Sequence, residues 1–203
     1  IIVVNDKPNG LNINKKAGSI HPKSLQSAVV SHNADMGIAF DGDGDRVIMV
    51  DQNGTLVDGD QLLYLIAQFY IKEGYKFGGV VGTHMTNLAF EERCKMQSIP
   101  FVRTNVGDRY VSAELDRRNW LLGGEGSGHI IVKNLHTTGD GIISALQVLS
   151  FLVKNKRSLK DALEEIKLYP QILINIPTEN KVNLKSRVVK DAIKESESIM
   201  KGM

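Results

Sequence analysis

An α/β fold with mostly parallel strand pairing is predicted. Short β-branched runs alternate with helical stretches of roughly 10–15 residues along most of the chain. The composition supports a packed core: 42% of the 203 residues are hydrophobic, with Ile, Leu and Val abundant, too apolar for a disordered chain. No apolar run reaches the roughly 20 residues of a membrane-spanning helix.

Ile1–Val4 is a β-branched run that starts the sequence without a Met, a basic segment or a long apolar segment. It reads as a strand, as the beginning of a fragment, and as no signal peptide. Asn5–Gly18 lacks periodicity and reads as a long loop. His21–Ser31 is expected to be helical, with Pro22 at its first position and Leu25, Ala28 and Val29 on one face. Met36–Phe40 and Val47–Val50 are apolar strands, and Asn53-Gly54 is a turn before Thr55–Val57. Asp58 or Asp60 can cap the next helix, whose stripe is Leu62, Leu63, Ile66, Phe69 and Tyr70 and which Gly74 stops.

Gly78–Gly82 is a buried-type strand, Thr86–Ser98 a helix, Pro100–Asn105 a strand and Arg109–Arg118 a helix. Trp120–Gly123 and His129–Val132 are strands facing each other across a glycine-rich turn. Gly139–Lys154 and Ser158–Lys167 are expected helices, Gln171–Ile176 a strand, Pro177–Asn183 a loop and Leu184–Met200 a last helix. Boundaries fall near Gln52–Thr55 and at Tyr169-Pro170.

The charge of +2 argues against a nucleic-acid binder that works by bulk electrostatics. One cysteine, Cys94, excludes a disulfide framework and a cysteine zinc site; on a helical stripe it reads as a small buried hydrophobe. These features describe a soluble, cytosolic globular protein with no membrane segment, or a piece of one.

The strongest chemical signal is Asp41-Gly-Asp-Gly-Asp-Arg46, directly after an apolar strand. Its glycines let alternate carboxylates converge, and three converging carboxylates repel one another unless a hard cation such as Mg²⁺ or Ca²⁺ sits among them. An EF-hand is excluded. Counted from Asp41, position 6 is Arg46 instead of Gly, and position 12 is Gln52 instead of Glu. An arginine beside the cage suits an enzyme that brings phosphate to its metal, because guanidinium binds phosphate bidentately. The bland alternative is a solvated acidic turn.

Gly123-Gly-Glu-Gly-Ser-Gly-His129 is neither a P-loop nor a dinucleotide fingerprint. Glu125, Ser127 and His129 alternate, and a carboxylate displayed with a hydroxyl suits a polyhydroxyl ligand such as a sugar; a plain hairpin turn is the alternative. In Val106-Gly-Asp-Arg-Tyr110, Asp108 is either an N-cap or part of an anion or acid/base site with Arg109. Asp140, in Thr137-Thr-Gly-Asp-Gly141, is as good a helix cap as a ligand contact.

Together these motifs resemble the α-D-phosphohexomutase superfamily, and within it the bacterial phosphoglucosamine mutases. Asn9–Asn14, Gly37–Val47, Val57-Asp-Gly-Asp60, Thr138–Ile142 and Tyr169-Pro-Gln171 add to the likeness, which covers nearly all of residues 1–176. The resemblance implies three-layer mixed α/β domains, one complete and two truncated. Residues 1–53 would end domain two with its metal loop, 54–170 form domain three with its sugar loop, and 171–203 begin domain four. Asp41, Asp43 and Asp45 would bind Mg²⁺ with a phosphoserine carried by domain one. Arg46 would hold the transferring phosphoryl group. Glu125 and Ser127 would contact the sugar, with Asp108, Arg109 and His129 near the substrate.

The intact protein is then expected to interconvert glucosamine 6-phosphate and glucosamine 1-phosphate through a bisphosphate intermediate, as a cytoplasmic enzyme, with a homodimer as its expected assembly. The chain has neither a serine loop of the TASHNP type nor an SGTEP-like phosphate loop, so it is expected to be inactive alone. Competing readings are a phosphomannomutase or phosphoglucomutase of the same superfamily, and a non-catalytic metal- or sugar-phosphate-binding module.

Overall fold

A computed structural model of the protein describes residues 1–174, 177, 178 and 182–200. It divides into two units, Ile1–Tyr169 and Pro170–Met203.

In the first unit, β1 (Met36–Phe40), β2 (Val47–Asp51) and β3 (Leu56–Val57) make an antiparallel sheet in the order β1-β2-β3. β2 is buried along its whole length because it is covered on both faces. Val47 and Met49 enter the main core, while the alternate Val50 packs on Leu25 and Val29 of α1 (Lys23–Ser31). Asp51 shapes the β2–β3 turn by accepting from the N–H groups of Asn53 and Thr55.

α2 (Gly59–Lys72) follows at once. It opens with a capping box: Asp58 accepts from Gln61 N, and the Gln61 side chain returns to Asp58 N. A second sheet then assembles from β4 (Val80–Thr83), β5 (Phe101–Thr104), β6 (Leu122–Gly124) and β7 (Ile130–Val132), in the order β5-β4-β6-β7. β4 runs parallel to β5 and β6, while β7 is antiparallel to β6.

Side-chain alternation sorts the helices into two layers. Val80, Leu122, Ile130 and Val132 pack with α2, with α3 (Leu88–Met96) and with α5 (Gly141–Asn155). Val81 and Ile131, one residue out of phase, pack with Val111 and Leu115 of α4 (Asp108–Arg118). α2 buries Leu62, Leu63, Tyr64, Leu65, Ile66 and Tyr70, each worth about 1.5–3 kcal/mol of transfer free energy.

Four expectations change. Pairing is mixed instead of mostly parallel, because the two glycine-rich connections are hairpins too short for a crossover helix. Residues 1–4 form no strand and are exposed. The helix expected at 158–167 is a single turn, α6 (Leu159–Ala162). Beyond it the i→i−3 bonds Glu164 N–Asp161 O and Ile166 N–Leu163 O tighten the chain and turn Ile166 into the core. Residues 171–174 of the expected Gln171–Ile176 strand belong to no regular element, and 175–176 lie outside the described residues, as do 179–181 of the expected loop. The second unit carries α7 (Arg187–Met200), which has no buried residue.

Candidate active site

The Asp41–Arg46 turn is the β1–β2 hairpin, closed by the Phe40–Val47 pair. Gly44 turns it at φ +76°, a conformation that L side chains resist. Ligand oxygens of Asp41, Asp43 and Asp45 lie within 4.8 Å of one another; Asp41 is buried and Asp43 exposed.

Arg46 does not point away from the cluster. Its Nε donates to Asp41 Oδ2 at 2.6 Å, its backbone N to Asp41 Oδ1 at 3.1 Å, and Nε lies 3.6 Å from Asp45 Oδ1. Burial works to raise the Asp41 pKa, but the hydrogen bonds from Arg46 and Asp45 overcome it and hold the carboxyl below the usual range. Asp45 goes the other way: burial, then its hydrogen bond with Asp41 and the charges of Asp41 and Asp43, push it up. Asp45 Oδ1 is buried without a hydrogen-bond partner. Clustered carboxylates with an orphaned oxygen are a donor set that fits a hard divalent cation.

The Glu125–His129 turn connects β6 and β7 and meets this hairpin edge to edge. Arg46 and His129 form an antiparallel bridge, and Val47 N donates to Gly128 O at 3.1 Å. Gly128 has φ +96°, and a Cβ there would lie 2.1 Å from Val47 O. His129 is 4% exposed, with Nε2 3.6 Å from Asp45 Oδ2 and Nδ1 unpartnered. Gly139 closes over its ring, where a Cβ would come within 2.4 Å of Nε2. The start of α5 ties into the metal hairpin as well, Gly141 N donating to Gly44 O at 2.8 Å. Asp140 is the N-cap of α5, accepting from Ile143 N at 2.8 Å.

Glu125 accepts from Gly107 N through Oε1 at 2.9 Å, which draws the Val106–Tyr110 segment to the same side. The N-cap of α4 is Gly107, at φ +130° and without a side-chain cap, so Asp108 is the exposed first residue of the helix. Arg109 is exposed and folds onto Tyr110, with Cζ 4.6 Å from the ring centroid and Nη2 2.6 Å from the hydroxyl. Ser127 is exposed at the tip of its turn. The structure therefore joins Asp41, Asp43, Asp45, Arg46 and His129 directly, and Glu125 to the 107 turn, while Asp108, Arg109 and Ser127 face solvent.

The sequence reading gave Asp60 no role beyond a possible cap and a place in the Val57-Asp-Gly-Asp60 stretch of the resemblance. It is 3% exposed, accepts from Asn87 N at 2.8 Å, and leaves Oδ1 buried without a partner. Its pKa is pushed up to about 6 by burial and the neighbouring Asp58 charge, against the bonds from Asn87 and Thr86. The available signal was its place in Val57-Asp-Gly-Asp60, too polar a start for so buried a helix.

The phosphoglucomutase/phosphomannomutase α/β/α domain III profile matches residues 58–169, and the domain II profile matches residues 4–54. The phosphoglucosamine mutase of Methylobacillus flagellatus is 52% identical over 203 residues, covering 100% of this chain and 45% of the relative. That of Pseudomonas savastanoi is 57% identical over 176 residues, covering 87% and 39%. The chain thus spans about half the length of such relatives or less.

Among solved structures, an N-acetylglucosamine-phosphate mutase in its substrate complex superposes with a TM-score of 0.70 at 22% identity, covering 90% of this chain and 45% of that one. The Aspergillus fumigatus N-acetylphosphoglucosamine mutase, in complex with GlcNAc-6P and magnesium, gives 0.65 at 24%, covering 84% and 44%. At these identities the likeness is one of fold. Among the described residues no helix is long and apolar enough to cross a membrane.

Proposed function

Because the chain belongs to the phosphoglucomutase/phosphomannomutase family, we propose that it is the metal- and sugar-binding part of a phosphoglucosamine mutase. The observation that carries this is the seam at Arg46 and His129, which sets a three-carboxylate cluster beside a glycine-rich turn bearing Glu125 and Ser127. The domain reading follows: 1–53 as the end of domain two, 54–170 as domain three, and 171–203 as the start of domain four. The profile spans and the break before Pro170 support it.

Asp41, Asp43 and Asp45 would hold Mg²⁺, whose chemistry, when bound, is to offset charge on the phosphoryl group in transfer. Asp41, its Oδ2 bonded to Nε and its Oδ1 to the backbone N, holds Arg46 at the cluster. The guanidinium's remaining N–H groups can then take phosphoryl oxygens. Glu125, held by Gly107 N, and the exposed Ser127 Oγ would accept and donate to ring hydroxyls. Asp108 and Arg109 would meet the substrate from the start of α4, and His129 from beneath the seam. In the whole enzyme a phosphoryl group passes from a phosphoserine outside this chain to the free sugar hydroxyl. The bisphosphate reorients, and its other phosphoryl group returns to the serine. The setting implied is a homodimer in a bacterial cytoplasm.

The test is a coupled assay for glucosamine 1-phosphate on the whole protein, with glucosamine 6-phosphate, sugar bisphosphate and Mg²⁺. Turnover that falls by roughly 10³-fold or more in Asp43→Asn is expected. A preference for mannose 6-phosphate, or an active Asp43→Asn variant, overturns the reading.

A further inference from the structure

A cleft of about 450 Å³ opens between the ends of β4 and β5 and one face of α4. His84 follows β4, Arg103 and Asn105 come from the end of β5, and Tyr110, Glu114 and Arg117 recur on α4 at i, i+4 and i+7. The cleft lies at the carboxyl ends of two parallel strands, where α/β sheets commonly take their ligands. None of the residues lining it belongs to the acidic hairpin or to the Glu125–His129 turn, so it is separate from the site described above.

Hydrogen-bond donors dominate the lining. Glu114 is its one carboxylate, and it is engaged twice. Arg117 binds it through Nε at 2.8 Å and Nη2 at 2.6 Å, and Arg118 Nε reaches the same Oε1. Ion pairing alone asks for one carboxylate per guanidinium, so this face keeps a positive charge that pairing does not explain. Neighbouring carboxylates do not remove it: Glu91 is taken by Arg103 and Asp116 by Lys133, and Asp108 does not line the cleft. The bidentate fork fixes the Arg117 guanidinium and leaves Nη1 unspent among the described residues. Arg109 Nη2 donates to the Tyr110 hydroxyl at 2.6 Å, so the phenol's own proton is left to donate. Arg103 is braced through Nε by Glu91 at 2.7 Å and through Nη1 by the carbonyls of Thr83 at 3.1 Å and Thr86 at 2.7 Å, with Nη2 left over. The exposed side chains of His84 and Asn105 hold no hydrogen bond among the described residues.

We propose that this cleft is a second ligand site, which binds a phosphoryl oxyanion through Arg117, Tyr110 and the side chains at the two strand ends. The lining supplies donors and an excess of positive charge, so its ligand must bring acceptors and negative charge. A carboxylate offers two oxygens in one plane, whereas a phosphoryl group offers three, which suits donors that arrive from β4, β5 and α4. The cleft also has room for the organic part of a phosphate ester. It adjoins the sugar turn through one residue: Tyr110 N donates to Gly107 O at 3.0 Å, and Gly107 N donates to Glu125 Oε1 at 2.9 Å. The site does not depend on the function proposed above.

The experiment follows backbone amide NMR shifts of the 203-residue chain during titration with inorganic phosphate, at constant ionic strength and without divalent metal. The expected result is a saturable shift confined to the amides of His84, Asn105 and residues 110–117, with a Kd of roughly 1–10 mM. Arg117→Gln, at an exposed position, should weaken binding roughly tenfold, and Tyr110→Phe roughly threefold. Shifts that grow without saturating and spread over the basic surface, or an affinity unchanged in both variants, mark an adventitious ion only and overturn the proposal. Shifts that centre on residues 41–46 and vanish in Arg46→Gln overturn it too, because the anion would then sit at the acidic hairpin. A second titration with glucosamine 6-phosphate, read at the same amides, identifies the source of the phosphoryl group. An affinity equal to that of inorganic phosphate makes the phosphoryl group the whole ligand, and one roughly tenfold tighter makes the ligand a phosphosugar; either supports the site.

Discussion

Asp60 makes a stability statement at the scale of one residue. Burial lifts its pKa from 3.8 to about 6, so between those values the folded chain holds a proton that the unfolded chain has released. Its contribution is therefore complete below about pH 4 and is lost as pH rises past about 6. Asp60→Asn removes the charged form, so the variant should gain on wild type with rising pH, by about 2 kcal/mol between pH 4 and 7.5. Chemical denaturation at the two pH values measures it, and a constant difference would contradict the burial argument. A second contrast separates chemistry from capping. Gln at 125 keeps an Oε1 for Gly107 N but loses the charge, and Asn at 140 remains a good N-cap for Ile143 N. On the sugar-binding role proposed for Glu125, in which its bonds are worth most in the transition state, Glu125→Gln in the whole enzyme should cost roughly 10²-fold or more in kcat/KM, and Asp140→Asn far less. Equal losses would undo that ranking.

Elements are held together by a few close backbone approaches, and glycine decides where these occur. Gly74 and Gly128 both have positive φ, but a Cβ at Gly74 meets open space whereas one at Gly128 would lie 2.1 Å from Val47 O. Gly74→Ala should cost about 1–2 kcal/mol, the strain of a left-handed residue. Gly128→Ala adds a backbone clash at the seam between hairpins and should cost about 3 kcal/mol or more, read from urea midpoints. Such joints explain what was legible in advance. From residue 21 through residue 155 the order of helices and strands followed from hydrophobic period and turn residues, because each element carries that signal locally; Asp58, Leu62 and Gly74 mark α2 without any neighbour. The acidic hairpin was legible for the same reason. The seam was not: that Arg46 pairs with His129, that Gly139 closes over the imidazole and that Gly59 N bonds Gly126 O depend on residues far apart in sequence. Ser158–Lys167 misled because its apolar spacing suits a helix, while burying Ile166 demanded tighter turns.

At the scale of the whole molecule, the proposed function puts charge neutralisation and sugar binding side by side in the first unit, and it also needs a group that stores a phosphoryl between half-reactions, for which the described serines and cysteine near any base make poor candidates. Mutase chemistry of the proposed kind needs such a nucleophile, activated by a base or a lowered pKa. Ser31 is the nearest approach, its Oγ 3.1 Å from His32 Nδ1. Both atoms, however, face Ala28 O, at 3.2 Å and 2.9 Å, so the imidazole nitrogen that would take the serine proton is itself directed at a carbonyl that can only accept. Cys94 is 1% exposed, and burial pushes its thiol up to about 12, leaving almost no thiolate near pH 7. Ser127 stands at the turn tip, but the turn's imidazole, His129, is directed at Asp45 instead. The 203-residue chain by itself is therefore expected to show no conversion of glucosamine 6-phosphate, even with sugar bisphosphate and Mg²⁺ supplied. Positioning and electrostatics carry most of phosphoryl transfer, but neither replaces the covalent carrier. The measurement is a coupled assay on the purified chain, with Asp43→Ala as its control. Turnover above background that disappears in that control would mean that a serine within these residues carries the phosphoryl group, and Ser31→Ala would be the first variant to try.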